Sequence, residues 1–181
     1  IPVHDSDATV HSLYRGEACD PIEAAFPGIV SEGEVDRQAL SKIVLADPKA
    51  MKTLEAIVHP LVREKELAFR SASESSGAVL AILDIPLLFE TGGENRVDGI
   101  IVVTAPLVVQ RERVLSRPGM TEAKFEAILK KQMPDAEKRQ RADFVIDTAQ
   151  GMDHAQNTVE AIVQTVRRGG WISQRSIDPQ S

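Results

Sequence analysis

Two short, continuously apolar segments predict strands that are buried on both faces. They are Ala78–Leu83 and Gly99–Val103, and each stops at a polar residue shortly before a proline. Such runs, with helical patterns between them, are typical of alternating strand and helix units. Shorter strands are predicted at Ile1–Asp5 and Phe144–Asp147. The pattern therefore predicts an α/β fold with one parallel sheet flanked by helices.

Helical periodicity fills the segments between these strands. Helices are predicted at residues 36–46, 48–73, 106–116, 121–133 and 153–168. Asp47-Pro48 supplies an N-cap and a first-turn proline for the second helix, and Thr121 caps the fourth. Pro60 falls inside the second helix, which therefore either restarts there or bends and turns His59 and Arg63 towards a cleft. The polar residues 169–181 are expected to fray.

Composition and charge narrow the class of protein. The 181 residues are 43% hydrophobic and 27% charged, which is typical of a globular protein with a real core. Only 4% are aromatic, so Val, Ile, Leu and Ala must build that core. The net charge of -6 argues against a nucleic-acid binder. Cys19 is the single cysteine, which excludes an internal disulfide and fits a reducing compartment. No apolar run reaches the roughly 20 residues that span a bilayer, and we expect a cytoplasmic location without membrane contact.

Acidic residues follow two of the predicted strands, at the edge where open α/β sheets bind ligands. Asp5 and Asp7 follow the first strand, where a carboxylate would orient a metal ion or take a hydroxyl proton. The alternative is a turn in which an aspartate caps the next helix. Asp84 follows the most hydrophobic strand and is a candidate Mg²⁺ ligand through water. The apolar Leu87-Leu88-Phe89 that comes next is expected to pack in the core.

Cations are concentrated between residues 111 and 141 although the chain as a whole is acidic. Gln110, Arg113 and Arg117 share one face of a predicted helix, at spacings of three and four. They form either a solvated basic face or a cluster that closes over phosphates, because guanidinium groups bind phosphate oxygens in pairs. For His59, a histidine satisfied inside the fold is the alternative to a ligand contact. No histidine has a partner at metal-ligand spacing.

Together these segments resemble the dephospho-coenzyme A kinase family, from Ile1 to about Arg167. The resemblance rests on Ile-Pro-Val-His-Asp-Ser-Asp at 1–7, Leu-Glu-Ala-Ile-Val-His-Pro at 54–60, Asp-Ile-Pro-Leu-Leu-Phe-Glu at 84–90, Gln110 with Arg113 and Arg117, Gln132, Lys138, and Ala-Asp-Phe-Val-Ile-Asp at 142–147. No single stretch is specific, whereas their order and spacing together are.

The resemblance implies transfer of the γ-phosphoryl group of ATP, with Mg²⁺, to the ribose 3′-hydroxyl of dephospho-coenzyme A, the last step of coenzyme A synthesis. It implies a P-loop kinase core in a single domain at 1–168, with a helical substrate subdomain at about 33–76 and a lid at about 111–141. Asp7 would be the base. The expected phosphate contacts are Arg113, Arg117 and Lys138, and the expected substrate contacts are Asp5, His59, Arg63 and Leu87.

One part of the family pattern is absent from this sequence. The family carries a glycine-rich loop that ends Gly-Lys-Ser/Thr on its first strand and helix, but no G-x-x-x-x-G-K-[ST] occurs among the 181 residues. None of the eleven glycines lies in such a setting. We therefore expect that the first strand, the P-loop and the first helix are missing, and that the chain as it stands is inactive.

Two other functions are compatible with the same residues. Another P-loop kinase, for a nucleoside, nucleotide or sugar, would share the core and the lid but lack the helical insert around Glu55 to Pro60. A non-catalytic regulatory module would keep the substrate subdomain without a nucleotide site, and its reading frame would start near Ile1. The oligomeric state is left open by the sequence.

Overall fold

Strands alternate with helices in residues 1–173, the part of the chain that the computed structural model describes. Contacts divide the chain into two units, one at Ile1–Ile85 and the other from Pro86 onward. Each unit contains its own pair of parallel strands. The α/β class predicted from the sequence is therefore confirmed. The predicted division into a substrate subdomain at 33–76 and a lid at 111–141 stays a prediction.

The first unit contains one parallel strand pair, one hairpin and four helices. Its elements are β1 Val3–Asp5, α1 Ser6–Leu13, α2 Cys19–Ala25, β2 Val30–Ser31, β3 Glu34–Val35, α3 Arg37–Ala46, α4 Pro48–Ser75 and β4 Ile82–Asp84. Strand β1 pairs in parallel with β4, so that Asp5 lies opposite Asp84 at the ends of both strands. Strands β2 and β3 form an antiparallel hairpin.

Helix ends in this unit follow local sequence signals. The Asp36 carboxylate accepts hydrogen bonds from two backbone N–H groups at the start of α3. The Asp47 carboxylate accepts one hydrogen bond, from Lys49 N–H, at the start of α4. Pro48 occupies the first turn, as predicted. The helices enclose a core of apolar side chains: Leu13, Ala18, Cys19, Ile22, Phe26, Ile29, Val35, Leu40, Val44 and Val58.

The second unit contains the other parallel pair and four helices. Its elements are a 3-10 turn at Gly93–Arg96, β5 Ile101–Thr104, α5 Leu107–Leu115, α6 Glu122–Leu129, α7 Asp135–Arg141, β6 Phe144–Asp147, a second 3-10 turn at Thr148–Gln150 and α8 Met152–Arg167. Strand β5 pairs with β6 over four residues, from Ile101 with Phe144 to Thr104 with Asp147. Phe89, Ile100 and Val102 form its buried core.

The strands differ from their predictions in extent and in burial. One continuous sheet was predicted, but in residues 1–173 the strands form three separate pairs. The run at 78–83 contributes β4 from Ile82 onward, and Val79 before it is 74% exposed. Burial alternates along β5, where Val102 is buried and Val103 is 65% exposed. Apolar sequence therefore predicted these strands, but β5 is covered on one face rather than two.

Several helices were missed or differ in length. Helices α1, α2 and α7 and the β2–β3 hairpin were not predicted, because each is short and lacks a long amphipathic pattern. Helix α6 ends at Leu129 rather than at residue 133. Helix α4 runs through Pro60 without restarting. The apolar Leu107 and Val108 of α5 are exposed instead of forming a buried face. No helix in the described part of the chain has the length and apolar character needed to cross a membrane.

The segment after α8, residues 169–173, packs against other parts of the second unit, although it was expected to fray. Gly170 N–H donates to the Thr165 carbonyl and closes the helix end, with Gly169 in the left-handed region at φ 68°. The indole of Trp171 packs on Phe144, with ring centroids 5.6 Å apart. Ser173 Oγ donates to the Asp98 carbonyl at 2.6 Å. The expectation of fraying is thus wrong for residues 169–173, and residues 174–181 lie outside the described part of the chain.

Candidate active site

In the first unit, the carboxyl ends of β1 and β4 bring two acids together. Asp5 and Asp84 are register partners, and the backbones of neighbouring strands lie about 4.8 Å apart. Both side chains lie in exposed positions. Asp5 Oδ1 accepts from Ala8 N–H at 2.8 Å and caps α1. The capping alternative raised from the sequence is therefore correct for Asp5.

The pair suits a hard divalent cation. Mg²⁺ prefers oxygen ligands and is usually held by one or two carboxylates together with waters and substrate phosphates. Asp5 and Asp84 supply two carboxylates at one sheet edge. No group of three or more histidine, cysteine or acidic side chains that could hold a metal occurs within residues 1–173. The residues present therefore fit a cation that is held largely by substrate and water, and do not form a closed protein cage.

Asp7 lies two residues after the Asp5 cap, in the first turn of α1. A negative charge is favourable there because the helix N-terminus carries partial positive charge. Asp7 lines a pocket of about 280 Å³. The other lining residues are Val10, His11, Tyr14 and Arg37.

These neighbours of Asp7 were not predicted from the sequence. His11 and Tyr14 follow Asp7 at i+4 and i+7, which places them on one helix face. That spacing would have revealed them if α1 had been predicted. Burial raises the pKa of the Tyr14 hydroxyl, and the positive charge of Arg37 opposes that rise. Arg37 opens helix α3, which delivers a guanidinium group to the same pocket.

Helix α4 carries two of the three predicted substrate contacts of the first unit, His59 and Arg63. His59 is exposed, so the alternative of a histidine satisfied inside the fold is wrong. One turn later, Arg63 Nη1 donates to Glu66 Oε1 at 2.7 Å. Arg70 donates to the same oxygen through Nε at 3.0 Å and Nη2 at 2.8 Å. Glu66, between the two arginines, is buried, with 2% exposure.

In the second unit, Arg113 of α5 holds the turn that follows β6. Its Nη1 donates to Thr148 Oγ1 at 2.7 Å and its Nη2 to the Thr148 carbonyl at 2.9 Å. Thr148 Oγ1 in turn donates to the Thr104 carbonyl at the end of β5. Thr104 Oγ1 donates to Asp135 Oδ1, at the start of α7. Polar groups thus connect the carboxyl ends of β5 and β6 with two helices.

Lys138 forms an ion pair with an acidic side chain near the core of the second unit. Its Nζ lies 2.7 Å from Glu90 Oε1, and both side chains are less than one fifth exposed. Met133 N–H also donates to Glu90, at 2.9 Å. Burial alone would raise the pKa of Glu90, but the hydrogen bonds from Lys138 and Met133 outweigh it and lower the pKa. Glu90 Oε2 is buried without a hydrogen-bond partner among the described residues.

The remaining predicted residues lie in exposed positions. Arg117 follows the end of α5 and is exposed, and within the described part of the chain its side chain has no hydrogen bond or ion pair. Leu87 is 44% exposed, so the prediction that it packs in the core is wrong, whereas Phe89 is buried as predicted. The Arg141 guanidinium stacks 4.9 Å from the centroid of that Phe89 ring.

Most cations of the predicted lid are therefore held in place by the C-terminal end of a helix or by acidic side chains. Lys138, Arg139 and Arg141 occupy the last turn of α7, where positive charge is favourable. Arg111 forms a bidentate pair with Glu122, which ties α5 to α6. Structural roles account for most of the local basic bias, whereas the side chains of Arg117, Lys130 and Lys131 have no hydrogen bond or ion pair in the described part of the chain.

Comparison with known proteins shows what this chain is similar to. A family model described as dephospho-CoA kinase matches residues 1–154. The dephospho-CoA kinase of Mesorhizobium japonicum is 58% identical over 167 residues, or 92% of this chain and 85% of the relative. That of Brucella melitensis is 55% identical over 163 residues, or 90% of this chain and 82% of the relative. A crystal structure of a Thermus thermophilus protein superposes with a TM-score of 0.76 at 36% identity, covering 91% of this chain and 83% of the other.

The fold is α/β, and the class of protein that the comparisons define is a phosphotransferase. The matches are more specific. The chain belongs to the dephospho-CoA kinase family. The sequence-based predictions of the family and of the enzyme class are therefore confirmed. The expected absence of the phosphate-binding loop and the cytoplasmic location stay predictions.

Proposed function

We propose that this protein transfers the γ-phosphoryl group of ATP to the ribose 3′-hydroxyl of dephospho-CoA, the last step of coenzyme A synthesis. The observation that carries the proposal is identity of 55 to 58% to dephospho-CoA kinases over nine tenths of the chain. The pocket around Asp7 supports it, because it offers a carboxylate beside a guanidinium group, an imidazole and a phenol.

Asp7 is the proposed general base. A carboxylate within hydrogen-bond reach of the acceptor hydroxyl orients that hydroxyl and takes its proton as the phosphoryl group arrives. Two observations favour Asp7 over Asp5: Asp7 lines the pocket, and Asp5 is committed to capping α1. We add Arg37 and His11 to the acceptor site because they line the same pocket. Asp5, His59, Arg63 and Leu87 complete the proposed substrate contacts.

Asp84, with Asp5 beside it, would hold Mg²⁺. When bound, the ion would neutralise negative charge on the phosphates of ATP. The two carboxylates need no rearrangement of their strands to share one cation, because they are register partners.

Of the three proposed phosphate contacts, Arg117 is the one whose side chain makes no hydrogen bond or ion pair in the described part of the chain. Arg113 holds Thr148, and Lys138 is paired with Glu90, so each would have to exchange a partner to reach a phosphate. We propose that these two cations also order the loop after β6 and helix α7, while Arg117 stays available to a phosphate. Phosphoryl transfer depends on such positioning and charge neutralisation more than on covalent chemistry.

A panel of acceptors tests this function. The full-length protein is incubated with ATP and Mg²⁺, and ADP release is followed with dephospho-CoA, adenosine or gluconate. The proposal predicts turnover with dephospho-CoA that exceeds turnover with the other acceptors by orders of magnitude. Turnover with adenosine or gluconate but not with dephospho-CoA would identify a different small-molecule kinase, and no turnover with any acceptor would favour a non-catalytic module.

A further inference from the structure

Glu66 is the most deeply buried charged side chain in the described part of the chain, with 2% exposure. Carboxylates are seldom buried to this extent unless they are paired, because loss of hydration costs several kcal/mol. Glu66 lies in the interior of α4, and its near neighbours Glu64 and Leu67 are exposed. The burial of this carboxylate therefore calls for a specific role.

Two arginine partners of Glu66 lie on either side of it along the helix. Arg63 is at i-3 and Arg70 at i+4, and both guanidinium groups donate to the same oxygen, Oε1. Their side chains are 25% and 33% exposed, so both arginines reach the surface while the acid between them does not. A buried acid thus fixes two arginines side by side at the surface of α4.

The position of this trio in the first unit links it to the candidate acids. Phe69, one turn after Glu66, contacts the His4 ring with centroids 5.3 Å apart. His4 is the buried residue of β1 that directly precedes Asp5. Thr9 of α1 lies 3.5 Å from His4 Nε2 and donates to the Asp5 carbonyl. The Glu66 face of α4 therefore packs beside the strand that leads to Asp5 and Asp7.

We propose that Glu66 is a positioning residue, which holds Arg63 and Arg70 as a fixed pair for the diphosphate of the acceptor substrate. This rests on the proposed function, in which Arg63 contacts dephospho-CoA. Guanidinium groups bind phosphate oxygens through two parallel N–H donors, and this geometry is lost when the side chains rotate freely. Fixing both arginines before binding reduces the conformational entropy that binding would otherwise cost.

The test is Glu66→Gln in the full-length protein. Glutamine keeps the shape and one acceptor oxygen but removes the charge that orients both arginines. We expect KM for dephospho-CoA to rise by about 10-fold or more, as for loss of a charge-assisted hydrogen bond, with KM for ATP within about twofold of wild type. Glu64→Gln, an equal charge change at an exposed position of the same helix, should leave both KM values unchanged.

Three outcomes distinguish a failure of this inference from a failure of the proposed function. If Glu66→Gln lowers the melting temperature but leaves KM for dephospho-CoA unchanged, Glu66 serves stability alone and the inference is overturned. If Glu66→Gln does not fold, Arg70→Gln replaces it, and an unchanged KM for dephospho-CoA in that variant overturns the inference as well. If the wild-type protein does not phosphorylate dephospho-CoA, the proposed function itself fails.

Discussion

Glu90 shows how one partly buried side chain can make stability depend on pH. Its carboxylate accepts hydrogen bonds from Lys138 Nζ and from Met133 N–H, and these hold its pKa below the ordinary 4.5. A lowered pKa in the folded state means that the unfolded chain binds the proton more readily. The resulting stabilisation is fully present above the unfolded pKa and is lost as pH falls through the folded pKa.

Glu90→Gln should therefore destabilise the protein in a pH-dependent way. We expect a loss of about 1–3 kcal/mol in the free energy of unfolding at pH 7, because a charge-assisted hydrogen bond is removed and Lys138 loses its partner. The difference from wild type should shrink as the pH falls below the ordinary pKa of 4.5 and through the lower pKa of the native carboxylate. Urea titrations from pH 7 to 3 measure this.

The matched control for that experiment is Glu126→Gln, an exposed acid of α6. It should change stability by only a few tenths of a kcal/mol across the same pH range. A Glu90→Gln penalty that stays constant down to pH 3 would show that shape, not charge, accounts for the role of Glu90.

At the scale of single elements, helix α4 contains a proline at a position where most other residues would give a more stable helix. Pro60 lies in the interior of the 28-residue helix and is exposed, so burial does not explain it. A proline there removes one backbone hydrogen bond and crowds the carbonyl four residues earlier. Its neighbour His59 is a proposed substrate contact, and functional sites often keep locally unfavourable residues.

Pro60→Ala should therefore stabilise the protein, by about 1–3 kcal/mol and several degrees in melting temperature, while raising KM for dephospho-CoA. Pro48→Ala in the first turn of the same helix is the control, since no intrahelical N–H is lost at that position. Differential scanning calorimetry measures the change in melting temperature. A Pro60→Ala protein no more stable than wild type would mean that surrounding contacts already compensate for the proline.

Long, strongly patterned elements could be predicted from the sequence, and short ones could not. The capped helices α3 and α4 and the strand β6 were predicted nearly residue by residue, since cap residues and periodicity agree there. Helix α1 has only eight residues, and its start is set by the Asp5 side chain, which from the sequence was equally a catalytic candidate. Missing α1 concealed the shared face of Asp7, His11 and Tyr14.

The candidate site was predictable in its residue types but not in its partners. Arg113 and Lys138 were identified as cations suited to phosphate, and nothing in their spacing indicated that Thr148 and Glu90 would bind them. Contacts of this kind join residues more than 30 positions apart, and helical periodicity carries no information on them.

At the scale of the whole molecule, the C-terminal segment completes the second unit. Trp171, the single tryptophan of the chain, covers Gly99 and packs on Phe144 at the start of β6. A Cβ atom at Gly99 would lie 2.7 Å from the Trp171 indole, well inside contact distance. Glycine is therefore required just before β5 because a ring occupies the space.

Gly99→Ala should displace that ring. We expect a loss of about 1–3 kcal/mol, typical of overpacking, together with a red shift of tryptophan fluorescence as the indole becomes more exposed. Gly16→Ala serves as the control, because its Cβ would meet only the Ser12 carbonyl at 3.7 Å, an ordinary contact. An unchanged emission spectrum in Gly99→Ala would show that Trp171 does not pack there in solution.

The central claim concerns the carboxylate of Asp7, which lies beside Arg37 in the pocket at the end of β1. The direct measurement is turnover of the full-length Asp7→Asn protein with ATP and dephospho-CoA, together with its affinity for ATP. Loss of a general base predicts kcat lower by about 10²–10⁴-fold with ATP affinity nearly intact. Turnover within a few-fold of wild type would contradict the account.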